Sequence, residues 1–437
     1  MRGLRLLLVV MAIGTFLGGC SESGSRLQDM VDPGTPPDPD PDPDPDPDPG
    51  PEPQPIDVLF APVVEAADAS VVDNLLIIIG DRDGRLFAYE KGVFPEEEAI
   101  LTASAAKILS GATLYRLVED GVLSLDDQPQ DYLDFWTDDP ADVRSRITLR
   151  HLLGFTSGFD ATPVLSPGCV SNPFITLQEC AKRYHDEGVE AEPGEIFYYG
   201  PAHLQIAAAM AEVATGLPYT EIFETVTAAP LGMTDTEFQS PSRTNPRAAG
   251  GAVSSPNDYE KLLRALLAEQ FLPDLEAFAV DRTADVIFGS RPQVTGITGT
   301  DWHYATGVWI ECDTPRFSDA CLDQPTISSP GAFGWTPWID MANDYYAMVA
   351  MREFAFLDQV IAEEGVRLEQ ELQPLIETAL RSLRAQGGAV AFAPRRQLDL
   401  DLCRGGDTWQ IMAPRPDGKR AYGDPPRQAQ CAQDAVR

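Results

Sequence analysis

The chain has 437 residues, 43% of them hydrophobic, and a formal net charge of −36 at pH 7. That is enough apolar content for a large core and two subdomains, while the charge repels nucleic-acid backbones and anionic lipid surfaces, so no nucleic-acid partner is expected. The first 56 residues hold three basic and ten acidic side chains, −7 of the total, which leaves −29 on the remainder, so the acidity belongs mainly to the folded part.

The chain opens with Arg2 and Arg5, an apolar run from Leu6 to Phe16, and then Leu17-Gly18-Gly19-Cys20. Such a run is shorter than the roughly 20 residues a spanning helix needs. With small residues before a cysteine it resembles a bacterial lipoprotein signal. The resemblance implies removal of residues 1–19 and lipid on Cys20. The protein would then be tethered to the cell envelope, facing the periplasm or exterior, with no other membrane contact. Residues 20–56 form a linker in which Pro and Asp alternate from Thr35 to Pro55. Fixed proline φ and repelling carboxylates make this an extended spacer of about 3.1 Å per residue, roughly 60 Å in all. Beyond Cys20 the cysteines fall into three local pairs, and Cys169 with Cys180, Cys312 with Cys321 and Cys403 with Cys431 is the simplest disulfide pairing for an exported chain. No Cys or His spacing suggests zinc, so His151, His185, His203 and His303 are expected to be structural, and neither a metal nor a cofactor is expected.

Residues Asn74–Gly80 read as a buried strand, Asp83-Gly84 as a tight turn and Arg85–Glu90 as the returning strand of a hairpin. A helix follows, with Ile108, Leu109, Ala112, Leu114 and Leu117 on its core face and Gly121 at its end. At its start Ser104 and Lys107 stand three positions apart and share a face, so the amine can reach the hydroxyl and take its proton. Further on, Thr148 can cap a short helix and Gly154 can stop it.

A Ser-x-x-Lys helix followed by His151-Leu152-Leu153-Gly154-Phe155-Thr156-Ser157-Gly158 resembles the beta-lactamase-related serine hydrolases, a family of class C beta-lactamases, D-alanyl-D-alanine carboxypeptidases and esterases. The resemblance runs over about residues 70–385. Pro193-Gly194-Glu195-Ile196-Phe197-Tyr198-Tyr199 is similar to the family's segment bearing a catalytic tyrosine, and its register selects Tyr199 over Tyr198. A helix over Ala202–Thr215 follows. Pro230-Leu231-Gly232-Met233 and the stretch from Gly250 to Asp258 are further landmarks, a turn and a helix-opening loop. Strands are expected at Tyr304–Glu311, Phe333–Asp340 and Tyr345–Arg352, then a long amphipathic helix over about Leu357–Ala385. The implied fold is α+β, an antiparallel sheet flanked by helices, within a domain of residues 57–385. A mostly helical subdomain is inserted at about 126–285. Residues 386–437 carry no readable motif.

The resemblance assigns Ser104 as nucleophile, Lys107 as a desolvated base of depressed pKa and Tyr199 as the group that shares or relays the proton. It places the oxyanion donors at the backbone N–H of Ser104 and of Ala332; losing one such donor costs about 3 kcal/mol. Two motifs depart from the family. Its Lys-Thr-Gly or His-x-Gly is here Ser329-Pro330-Gly331, and its Tyr-x-Asn is Tyr199-Gly200-Pro201. The substrate-binding positions Ser329, Gly331 and Pro201 therefore lack the usual cation and amide, although Arg291 or Arg243 could supply a cation. The expected function is an exported serine hydrolase acting on a small ester or amide through a Ser104 acyl-enzyme, esterase-like more than beta-lactamase. Two alternatives stand beside it: a catalytically silent envelope binding protein, and a D-Ala-D-Ala carboxypeptidase or beta-lactamase.

Overall fold

The computed structural model describes residues 54–160, 168–290, 299–352 and 359–387. Cys20, Arg291, Cys403 and Cys431, with the expected signal, most of the linker and the C-terminal extension, lie outside the described residues.

Two short helices, α1 (Ile56–Leu59) and α2 (Ala61–Ala69), lead into the hairpin β1 (Leu75–Gly80) and β2 (Arg85–Lys91). Asp81 Oδ1 accepts from the N–H groups of Asp83 and Gly84 at 2.9 and 3.2 Å and so closes the expected turn. Next come β3 (Ile100–Leu101), a 3₁₀ turn at Ala103–Ala105 and α3 (Ala106–Glu119). The chain then passes through α4 (Leu149–Leu153), α5 (Leu177–Glu187), β4 (Ile196–Tyr198), α6 (Ala202–Thr215), α7 (Tyr219–Phe223) and α8 (Ala229–Leu231). It continues through β5 (Glu237–Phe238), β6 (Ala252–Ser254), α9 (Pro256–Leu267), α10 (Leu275–Phe278) and β7 (Ile287–Ser290). It returns through β8 (His303–Tyr304), β9 (Trp309–Ile310), β10 (Thr326–Ser328), β11 (Thr336–Asp340) and β12 (Tyr345–Met351) to the long helix α11 (Gln359–Ala385).

One seven-stranded sheet has the order β2-β1-β12-β11-β10-β9-β8, with every neighbouring pair antiparallel. Because β1 pairs with β12, from Leu75 opposite Met351 to Gly80 opposite Tyr346, the two ends of the domain meet in mid-sheet and the helical region is an excursion between them. β1 is apolar at every position because both its faces are covered. Leu76 and Ile78 face the core shared with α3, whereas Leu75, Ile77 and Ile79 face α2 and α11. Helix α11 meets that second core with Leu368, Leu372, Ile376 and Leu380, a stripe at helical spacing. Thr148 and Gly154 cap α4 as expected, and Thr148 Oγ1 accepts from His151 N–H. Among the described residues no helix is long and apolar enough to cross a membrane.

Three sequence expectations need correction. Tyr304–Glu311 is not one strand: β8 and β9 form a tight hairpin in which Ala305 N–H donates to Val308 O at 2.9 Å. Its tip packs on α3, where a Cβ on Gly111 would come within 2.4 Å of Thr306 O, so the chain must bend there. The strand expected from Phe333 begins only at Thr336, because Gly334 turns the backbone at φ 79° and donates to Gly331 O at 3.0 Å. Strand β10, three residues long, was not anticipated; it is too short to show an alternating pattern.

Candidate active site

Ser104 lies in the 3₁₀ turn that opens α3, and Lys107 is the second residue of the helix itself. Ala103, just before Ser104, takes a φ of 48°, a left-handed conformation that costs an L residue about 1 kcal/mol or more. The turn is held from behind by Tyr259, whose Oη donates to Ala105 O at 2.6 Å. Lys107 is buried, its Nζ 2.9 Å from Ser104 Oγ and 2.8 Å from Ala249 O, to which it donates. One turn on, Ser110 donates to Ala248 O at 2.6 Å and accepts from Tyr219 Oη at 2.7 Å. The polar face of α3 is thus tied to residues 248–249. Burial, and after it the neighbouring Arg247 guanidinium, pulls the Lys107 ammonium down to about 7.

Tyr199 follows β4, its N–H donating to Ser290 Oγ at 3.0 Å. Its ring stacks on Trp309 with centroids 5.4 Å apart and lies 5.8 Å from Phe155. Burial raises the phenol pKa, while a hydrogen bond with Ser104 opposes that shift. The Lys107 ammonium sits 4.6 Å from the ring centroid. Tyr198 serves differently: its carbonyl accepts from His203 Nε2 at 2.8 Å, which leaves Nδ1 to accept from Ser157 Oγ at 2.8 Å. Burial lowers His203 to about 3, so the ring is neutral. His203 is structural, as expected, yet it also positions the tyrosine segment. The signal for that was the Thr156-Ser157-Gly158 landmark and its place in the first turn of α6.

The strand-end segment 329–332 lies against the Ser104 turn. Ser329 Oγ donates to Ser104 O at 3.0 Å and the residue is 3% exposed, so this hydroxyl is committed to the protein's own backbone. Gly331 is required by close approach: a Cβ there would come within 2.3 Å of Thr102 O and 3.0 Å of Ala105 N. Its N–H donates to Trp335 O at 2.7 Å, and the next residue, Ala332, is exposed. Ser104 N–H belongs to the first turn, where helical amides lack an intrahelical acceptor. Pro201, half-buried at the N-cap of α6, offers no N–H. Arg243 pairs with Glu237, and Arg247, passed over in the sequence, is the cation acting on Lys107.

Two disulfides are formed as the local pairing anticipates, Cys169–Cys180 and Cys312–Cys321, with Cα separations of 5.1 and 5.2 Å. The first bridge matters to the site because Asn245 Nδ2 donates to Cys169 O and Asn172 O at 2.8 and 2.9 Å. That docks the disulfide loop onto the segment backing Lys107. Among the described residues no group of His, Cys, Asp and Glu is placed to hold a metal ion.

An antiparallel sheet carrying helices, with an inserted helical region beside a Ser-x-x-Lys turn, is the beta-lactamase/transpeptidase-like fold. The Beta-lactamase family model matches residues 76–369, and the chain belongs to that family, whose members are generally serine hydrolases. It is 26% identical over 227 residues to the D-alanyl-D-alanine-carboxypeptidase/endopeptidase AmpH of Escherichia coli (strain K12), covering 47% of this chain and 57% of that protein. The match thus spans little more than half of the relative's length. A Bacteroides dorei DSM 17855 protein, named as a beta-lactamase by inference, has a solved structure with a TM-score of 0.60 and 24% identity over 73% of this chain and 98% of that one. EstCE1, described as a hydrolase with promiscuous acyltransferase activity, gives a TM-score of 0.56 at 17% identity over 71% of this chain and 97% of its own. These likenesses show the fold.

Proposed function

We propose that the protein is an exported, lipid-anchored serine hydrolase that cleaves an ester or amide through a Ser104 acyl-enzyme and prefers esters to beta-lactams. The observation that carries this reading is the buried Lys107 amine, 2.9 Å from Ser104 Oγ and pulled down to about 7. A neutral amine that donates to Ala249 O still has a lone pair for the serine proton. As Oγ bonds to the acyl carbon, Lys107 takes that proton and the amides of Ser104 and Ala332 hold the oxyanion. The bond to the leaving alkoxide breaks as the proton passes to it through Lys107 or the protonated Tyr199 phenol. Water then attacks the acyl-enzyme, gives a proton to the same base, and the acid leaves as Ser104 regains its hydrogen.

The ester preference follows from what the site lacks. Pro201 has no donor for an acylamino group, and Ser329 spends its hydroxyl on Ser104 O. A substrate amide left unpaired against Pro201 would lose about 1–3 kcal/mol. A D-Ala-D-Ala carboxypeptidase is the second reading, favoured by the description of the Escherichia coli relative. Intact-mass labelling by a fluorophosphonate should modify the wild type and leave Ser104→Ala untouched; labelling of the variant would refute the nucleophile. On the same preparation, kcat/KM for p-nitrophenyl butyrate should exceed that for nitrocefin and for a D-Ala-D-Ala peptide. A preference for either of the latter would overturn the esterase reading.

A further inference from the structure

Among the described residues Arg247 is a cation without a counter-anion. Its Nη2 donates to Ser171 Oγ at 2.7 Å, and this is the one hydrogen bond that the described residues give to the N–H groups of this guanidinium, which carries five. Its Nε is buried and finds no acceptor among the described residues. No carboxylate among the described residues acts on it; burial is the main influence and the Tyr184 phenol the other. A buried donor left unpaired opposes folding and calls for an explanation, and a charged one more so.

Its place in the site offers one. Residues 247–250 fold back on the nucleophile turn: Ala249 O accepts from Lys107, and a Cβ on Gly250 would lie 3.5 Å from Ala103 O and 3.7 Å from Arg247 Cδ. Arg247 Cδ and Ala103 O therefore both border the space beside Gly250, and the guanidinium is near enough for its charge to act on Lys107. Gly250 is half-buried. The strand-end segment, which also touches the turn, presents no cation, because Ser329 stands at that position and is turned onto the backbone. The guanidinium itself is fixed at one end only, through Ser171 in the loop closed by Cys169–Cys180.

We propose that Arg247 is the anion-recognising residue of this site and that the preferred substrate is an ester or amide bearing a carboxylate, which pairs with the N–H groups that the described residues leave free. The inference rests on the hydrolase reading above and deepens it by naming the substrate class. A carboxylate accepts two parallel N–H bonds from a guanidinium, a geometry that the single hydroxyl of Ser171 cannot supply.

The test compares matched esters on the full chain. Mono-p-nitrophenyl adipate is set against p-nitrophenyl hexanoate, and 4-(butyryloxy)benzoate against its methyl ester, so that the carboxylate sits on the acyl or the alcohol side. The readout is the ratio of kcat/KM, charged over neutral, which cancels any effect Arg247 has on Lys107. For at least one pair the ratio should fall roughly 10- to 100-fold in Arg247→Gln and recover in part in Arg247→Lys. Raising salt from about 0.05 to about 0.5 M should lower the wild-type ratio as well, a measurement that needs no variant. Ratios that are the same in wild type and Arg247→Gln for both pairs, or insensitive to salt, would overturn the proposal. Calorimetric titration of Ser104→Ala with adipate separates the two readings. Loss of binding on adding Arg247→Gln supports the anion site even if Ser104 is not the nucleophile, and absence of adipate binding counts against the site alone.

Discussion

As the proposed base, Lys107 should set the pH behaviour of the site, because burial, reinforced by the Arg247 charge, brings its ammonium down to about 7. A base must be unprotonated to act, so acylation should rise about tenfold per pH unit below neutrality and level off above it. Lys107→Ala should lose roughly 10²–10⁴-fold in acylation and flatten that limb, and an unchanged pH profile in stopped-flow acylation would remove Lys107 from the mechanism. Gly331 is the other residue on which geometry turns. The Cβ of Gly331→Ala would meet the Thr102 carbonyl oxygen at 2.3 Å, a backbone atom that cannot swing aside, so the segment carrying Ala332 must move away from Ser104. The expected outcome is a fall in kcat of about 10²–10³, the size of losing one oxyanion donor. The thermal unfolding curve should shift by no more than overpacking explains, about 1–3 kcal/mol. Wild-type kcat in this variant would show that Ala332 does not touch the reacting oxygen.

At the scale of elements, the contact between the main sheet and α11 buries two acids together. Glu311, directly after β9, and Glu369, on α11, are 7% and 0% exposed. Gln373 Nε2 donates to Glu311 Oε2 at 3.0 Å. Burial, and for Glu369 the facing Glu311, holds both carboxyls above their usual range, with Glu311 near 7. The folded state therefore binds more protons than the unfolded chain between about pH 4.5 and 7. Stability should fall as pH rises through that window. Glu369→Gln removes one of the two ionisable groups, so it should be more stable than wild type at about pH 8, by on the order of 1–3 kcal/mol, and differ little at about pH 5. Thermal melts at the two pH values check this, and an equal effect at both would show that packing, not ionisation, governs the pair.

For the whole molecule the proposed arrangement is a hydrolase held away from a membrane by an acidic spacer and one lipid. The −29 that lies beyond residue 56 argues that attachment comes from the lipid and not from the surface of the domain, which anionic lipids would repel. Cys20→Ser should therefore leave the membrane fraction for the soluble one with its esterase activity intact. Retention of the variant in the membrane fraction would disprove the anchor.

The sequence alone determined those features whose signal is local. The unbroken apolar run of β1, the turn at Asp83-Gly84 and the Thr148 and Gly154 caps each depend on residues within a turn or two of one another, while the helix over Ala202–Thr215 was implied by the family resemblance. The three-residue spacing of Ser104 and Lys107 belongs with them, since one helical turn brings both to the same face. Tertiary structure decided what depends on segments far apart in the chain. Ser329 is 225 positions from Ser104, and its bond to the Ser104 carbonyl takes a side chain that read as substrate-binding and uses it for support. Strand β10 and the β8–β9 hairpin are too short to show a period, and it is their partners that define them. Arg247 and the Glu311–Glu369 pair carry no motif at all. Their properties come from the loss of water around a charge, and only the folded chain determines which charges lose it.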